Sequence, residues 1–249
     1  MPTRSELRAI VRRDPLLNST TVIADADLNT LLSEAALDLA RIAAACPIKS
    51  SWSAVASAQT YVLSGASPKV TGFLDIFWEA GGLIYEQTST LTVPLQDRMR
   101  SEAWLDLHIP GWQTADASDT LIYAYLTHDT SGYLALGVYP KSSTTTPTFR
   151  LYFLSRGTNM SDDTHYPWTG STTNLTHTEP FQRLLAVYAR WKCHEELTSR
   201  PDLAEKFQKE YLEGAVAFRA AQTRLFAAEL HGLRLDAEST VDQAFGGLS

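Results

Sequence analysis

Cysteine is scarce: Cys46 and Cys193 are the only two in 249 residues. Two thiols cannot supply a disulfide framework in a chain this long, so both are expected to be reduced and buried. Long apolar runs are missing as well. No stretch of about 18 apolar residues occurs, which excludes a transmembrane helix. The N-terminal MPTRSELRAIVRRD lacks the apolar core of a signal peptide. The Asn-x-Ser/Thr triplets at Asn18, Asn159 and Asn174 therefore carry no weight as glycosylation sites, and cytosol-like surroundings are expected. A basic excess is absent too. Lys and Arg number 21 against 28 Asp and Glu, for a formal charge of −7. That balance argues against a dedicated nucleic-acid binder. The densest basic group is Arg4, Arg8, Arg12 and Arg13. Nucleophile elbow, phosphate loop, dinucleotide fingerprint, helical H-E-x-x-H and clustered cysteines are all lacking, as are repeats and low-complexity tracts.

What is present is an ordinary globular composition, 44% hydrophobic and 20% charged, in a chain long enough to bury a sizeable core. Residues 4–13 read as a short helix with Thr3 and Glu6 spaced for a capping box. Residues 26–45 read as a longer one, with Asp25 as its cap and Pro47 closing it. Its stripe is Leu28, Leu31, Leu32, Ala35, Leu39, Ile42 and Cys46. From about 48 to 177 the texture turns to Ser, Thr, Gly and aromatics with a period of two. Strands are expected at 59–64, 73–78, 83–87, 121–126, 133–139 and 148–154, the last two joined as antiparallel neighbours by PKSSTTTP. Residues 155–177 read as a long irregular connection. Helix returns at 179 and again after Ser199 and Pro201, running to about 230 with Gly232 as C-cap.

The expected fold is α+β: an antiparallel helical bundle from both chain ends, an inserted antiparallel β-rich module, and an extended C-terminal tail. The divisions are 1–47 for the N-terminal bundle helices, 48–177 for the β-rich module, 178–231 for the closing helix pair and 232–249 for the C-terminal extension. Bundle core candidates are Leu28, Leu32, Leu39, Leu184, Tyr188, Trp191, Phe207, Tyr211 and Phe218.

Three clusters invite chemistry. Cys193, His194, Glu195 and Glu196 stand side by side, but neighbours on a helix point about 100° apart and cannot share one ligand. There, Trp191 and Phe207 are expected to matter most for burial. His194 is expected on the helix flank, with the two glutamates solvated or paired to Lys192 and Arg200. Ser161, Asp162, Asp163, Thr164 and His165 read as turn chemistry rather than a metal or acid–base site. Glu79 beside Trp78 is a single carboxylate before a Gly81-Gly82 turn, short of the pair that glycoside hydrolysis uses. No catalytic residue, metal or cofactor is assigned.

The order of four phrases resembles the head-to-tail connector (adaptor) proteins of tailed bacteriophages. DADLNTLLSEAALDLARI (25–42) is similar to the family's first bundle helix. YLALGVYP (133–140) followed by TFRLYFL (148–154) is similar to its strand pair. MSDDTHYPW (160–168) resembles its acidic loop, and FQRLLAVYARWKCHEELTSRPDLAEKFQKEYLEGAVAF (181–218) its closing helix pair. Residues 88–120 and those after 232 lie outside the likeness. The resemblance implies a ring of twelve copies beneath the portal, bridging it to a tail (nozzle or stopper) protein. It implies passage of genomic DNA through the lumen without sequence-specific binding and no membrane contact. It also implies a place in the neck of the virion after synthesis in the host bacterial cytoplasm. In the family the C-terminal extension often reaches the portal, which makes Leu233, Leu235, Val241 and Phe245 the portal-binding candidates here. Glu195, Glu196 and His194 become candidates for subunit contacts. Two other readings stay open. One is a carbohydrate- or receptor-binding module carried by Trp104, Trp112, Tyr123, Tyr125 and Tyr133. The other is a peptidoglycan hydrolase or metalloenzyme using Glu79 or Asp163.

Overall fold

The computed structural model describes residues 2–65, 68–78, 82–86, 92–118 and 120–245, with the backbone alone at 92 and over 226–245. It is mixed α and β. In chain order the helices are α1 Arg4–Val11, α2 Asp25–Ile42, α3 Glu102–His108, α4 Arg183–Glu196 and α5 Pro201–Phe245. The strands are β1 Pro47–Ser53, β2 Thr60–Val62, β3 Phe73–Ile76, β4 Leu83–Glu86, β5 Thr92–Pro94, β6 Tyr123–His128, β7 Leu134–Tyr139 and β8 Thr148–Ser155. Two compact units result. One joins the chain up to Pro47 with Leu154–Arg224, and the other joins Ile48–Phe153 with the chain from Leu225.

The helical unit follows from its apolar spacing. Glu6 accepts the Thr3 backbone N–H at 2.8 Å and fixes the start of α1, which buries Leu7 and Val11. In α2 the buried positions are Leu28, Leu32, Ala35, Ala36, Leu39 and Ala40, spaced by one, three and four residues. Asp25 is not the cap expected of it. Ala24 holds that place, and Asp25 is the first helical residue, where a negative charge suits the helix dipole. The helix also stops short of Cys46. Ala44 takes a left-handed φ of 52°, and the N–H groups of Ala43 and Ala45 both return to the Leu39 carbonyl, closing the last turn. That turn frees residues from Pro47 to enter β1.

Helices α1, α2 and α4 pack on one another. The first part of α5 runs antiparallel to α4, because Leu184 lies over Gly214, Tyr188 against Tyr211 and His194 against Phe207. The Tyr211 hydroxyl donates to Asp38 on α2 at 2.6 Å. Of the expected core, Leu28, Leu32, Leu39, Tyr211 and Phe218 are buried, while Leu184, Tyr188, Trp191 and Phe207 are half-buried. Helix α5 passes straight through Gly232 to Phe245. One helical glycine costs only about 1 kcal/mol, less than breaking the helix-forming run on either side. The extended tail expected from 233 is therefore helical backbone up to Phe245.

The second unit is a pair of sheets. One contains five strands in the order β1-β8-β4-β5 with β3 also on β8, and the other is β2-β7-β6. The expected β7–β8 hairpin does not form, since β7 and β8 belong to different sheets. Residues 140–147 instead carry the chain across, with Pro147 accepting from the Ala54 N–H and Lys141 from Ser118. The reason is visible in β8, whose burial is nearly continuous. A strand buried on both faces belongs mid-sheet, and β8 has β1, β3 and β4 as partners. Tyr61, Leu136 and Val138 of one sheet share a core with Leu83, Tyr85, Phe149, Leu151 and Phe153 of the other. The Tyr61 and Phe149 rings are 4.9 Å apart. Aromatic and branched residues in period two pack in this way.

Strands β1 and β5 and helix α3 carried no sequence expectation. Strand β1 is mostly polar, β5 has only three residues, and α3, seven residues long, is too brief to show a period. Its local signal is Ser101, whose hydroxyl accepts the Trp104 N–H at 3.1 Å. The β-rich unit also ends at Phe153 rather than at 177.

One close approach constrains the smaller sheet. Gly137 pairs with Tyr125 in register, and the Tyr125 ring lies over it so that an added Cβ would fall 2.0 Å from the ring. Gly137→Ala should force that ring outward and destabilise the fold by about 1–3 kcal/mol, measured as a lowered urea midpoint.

Candidate functional site

The residues that the sequence offered as chemistry are drawn into a polar frame on the helical unit. Its parts are α1, the turn after it, the loop 156–175 and the end of α4. Asp163 sits at the centre. The Arg4 guanidinium donates to its Oδ1 at 2.8 Å, and the Arg8 guanidinium reaches both carboxylate oxygens at 2.9 and 2.7 Å. Arg8 also donates to Asn29 on α2, and Arg12 bonds Asp25. The arginines at positions 4, 8 and 12 lie one turn apart and share a face. Three members of the basic N-terminal cluster are thus turned inward, while Arg13 is exposed. Hydrogen bonds from Arg8, then Arg4, hold the Asp163 carboxyl at about 2.

Neighbouring groups of the same loop behave as turn residues. Asp162 accepts the Thr164 N–H and hydroxyl at 3.0 and 2.9 Å. Ser161 Oγ lies 3.3 Å from His165 Nδ1. Asp163 and His165 carbonyls receive the first N–H groups of α1, from Ser5 and Arg4. Trp168 fixes the far side of the loop. It is buried, and its indole N–H donates to the Ala36 carbonyl at 2.8 Å. Its ring meets Phe218 of α5 edge-on. Gly157 lets the chain pass, because a Cβ there would fall 2.7 Å from the Trp168 carbonyl.

His194 overturns its expected place on the helix flank. The ring is fully buried and stacks on Phe207. Nε2 donates to Asp14 Oδ2 at 2.9 Å, and Nδ1 lies 2.9 Å from Thr198 Oγ1. Burial works to raise the Asp14 carboxyl, but bonds from His194 and the Leu16 N–H outweigh it, so it is lowered overall. His194 is therefore no surface contact. Glu195 and Glu196 are exposed. Glu195 pairs with Lys192 at 2.8 Å, whereas Arg200 turns to Asp202 instead. Burial, with Glu196 adding to it, pushes the Cys193 thiol up to about 12, and burial pushes Cys46 up to about 11, so neither is a ready nucleophile.

The remaining candidates disperse. Glu79 and Gly81 lie outside the described residues, as do the side chains of Leu233, Leu235, Val241 and Phe245. Trp112 and Tyr125 are buried against each other, with the Trp112 indole donating to Asp106 at 2.8 Å. Trp104 is half-buried, stacked on His108 and edge-on to Tyr123, with Arg100 over both rings. Tyr133 stands exposed and apart from them. The aromatics thus fill a small core on one sheet face rather than lining a sugar platform. Among the described residues no three His, Cys, Asp or Glu side chains gather as metal ligands, and no helix is long and apolar enough to cross a membrane. The frame holds elements in register and presents a surface.

Sequence reasoning missed the Arg4–Asp163, Asp14–His194 and Trp168 links. The one local hint was a tryptophan in an otherwise polar, aperiodic loop.

Three outcomes follow from this frame. Asp163 has a depressed pKa, so its stabilisation is full above the ordinary Asp value near 4 and is lost as pH falls toward about 2. Asp163→Asn should lower the Tm at neutral pH and flatten the Tm-versus-pH slope between about pH 4 and 2. His194→Ala, which empties a fully buried site and leaves the half-buried Asp14 without its partner, should cost about 3 kcal/mol by urea denaturation. Glu196→Ala should stay within about 0.5 kcal/mol.

A family model described as SU10 adaptor protein matches residues 2–243 of the chain. No curated protein matches it.

Proposed function

The chain belongs to the SU10 adaptor protein family, and from that premise we propose that it is a structural head-to-tail adaptor of a tailed phage. It forms a ring of twelvefold symmetry beneath the portal, bridges the portal to a tail protein and surrounds the DNA channel. It carries out no catalytic step. The observation that carries this reading is the family match over nearly the whole chain. Membership in a phage adaptor family supports a virion component that contacts other head and tail proteins.

The physical properties agree with that role. A net charge of −7 suits a channel wall that does not grip a passing phosphate backbone. Arg4, Arg8 and Arg12, which would have opposed this, are bound to Asp163 and Asp25. The apolar residues Leu233, Leu235, Val241 and Phe245 give the end of the chain a reason to bind a partner, and the portal is the partner proposed for them. Trp104 and Tyr133 are left without a role in this reading.

The test is the mass of the protein alone and with its portal. Mixing should produce a complex whose added mass is a fixed multiple of 27.5 kDa, twelve in the expected case. A chain ending before Leu233 should keep its fold by circular dichroism and lose docking. Unchanged mass on mixing would overturn the adaptor assignment, and full docking by the shortened chain would remove the C-terminal part from it.

A further inference from the structure

Helix α5 buries one face and leaves a second apolar flank uncovered. Tyr211, Ala215, Phe218 and Gln222 point into the helical unit. One position on, Leu212 is 48% and Val216 72% exposed, and Ile42 at the end of α2 is 39% exposed. These three and Ala220 line a groove edged by Arg219 and Arg224. Isolated exposed apolar residues are ordinary, but a contiguous set around a groove marks a docking surface.

The same unit carries a surface of opposite character. Leu197, 50% exposed, follows Glu195 and Glu196 at the end of α4. The Asp14–His194 bond brings the exposed Leu16 to the same end of the unit. Glu196 has no ion-pair partner among the described residues, and neither has Arg224. An apolar groove with a cationic edge and an apolar projection with an anionic edge are complementary in both properties.

They cannot meet within one chain. Leu197 precedes α5, and Val216 lies 15 residues into that helix, roughly 22 Å along its axis. We propose that the groove formed by Ile42, Leu212, Val216 and Ala220 receives Leu16 and Leu197 of a second copy, with Arg224 facing Glu196. Two different patches then meet, so the contact is head-to-tail. A head-to-tail contact repeats from copy to copy and closes into a ring when its rotation permits. The inference rests on the ring-forming reading above and names the surfaces that make the ring.

Cysteine pairing tests it on the full chain. Both native cysteines are buried, and Leu197 and Val216 are exposed enough to change without disturbing the fold. The double variant L197C/V216C, assembled on its portal and treated with a short bis-maleimide, should give a ladder of cross-linked multimers, while each single variant stays monomeric on a denaturing gel. In parallel, E196R and R224E should each raise the concentration needed for assembly by about tenfold, and the two together should restore it. If the double variant assembles without cross-linking, or links to the portal subunit instead, the proposed interface is wrong while the adaptor reading stands. Failure of the unmodified protein to assemble at all would overturn both.

Discussion

The helical unit closes on Trp168. Its indole N–H is held by the Ala36 carbonyl of α2, its ring meets Phe218 of α5, and its backbone fits against Gly157. The segments it ties come from opposite ends of the chain, separated by more than a hundred residues of β structure. An irregular loop cannot satisfy its own backbone, so it needs such an anchor to be ordered. With the tryptophan seated, Asp163 falls opposite Arg4 and Arg8, and α1 gains acceptors for its first N–H groups. The loop thus acts as part of the helical unit.

That dependence explains where the sequence was readable. Helices α2, α4 and α5 carry long apolar stripes, and period three-to-four is a strong signal over eighteen residues. The six expected strands were found within a few residues of their places because Val, Ile, Tyr and Phe alternate in them. Pairing was another matter. Nothing in YLALGVYP and TFRLYFL states that the two strands go to different sheets, since that is decided by what covers β8. His194 failed for a related reason. Its neighbours in sequence are polar, and its burial comes from Phe207 and Asp14, which lie on other elements. Local pattern reports periodicity; it does not report which polar residue has a partner waiting across the core.

The candidate site was legible in its parts only. Asp163 and the N-terminal arginines were both conspicuous, but they meet across 155 or more residues of sequence, which no local pattern reports. The acidic loop and the Cys-His-Glu-Glu run looked like reagents because carboxylates and imidazoles are shared by catalysis and by packing. Geometry separates the two uses. Here Asp163, Asp162, Asp14 and His194 are each tied to a neighbour by hydrogen bonds of 3.0 Å or less. The family of the chain and the inward turn of its positive charge point the same way, toward a component that holds position.

The pairing of β1 with β8 has a consequence for how such a chain can change. These are the strands by which the polypeptide leaves the helical unit and comes back, and they lie side by side in one sheet. Neighbouring strands are about 4.8 Å apart. To the helices, the hundred residues between are equivalent to a short closed hairpin, whatever their length. The β-rich insertion is therefore a cassette. Its own loops can lengthen or shorten without separating the two paired strands at which it joins the rest of the chain.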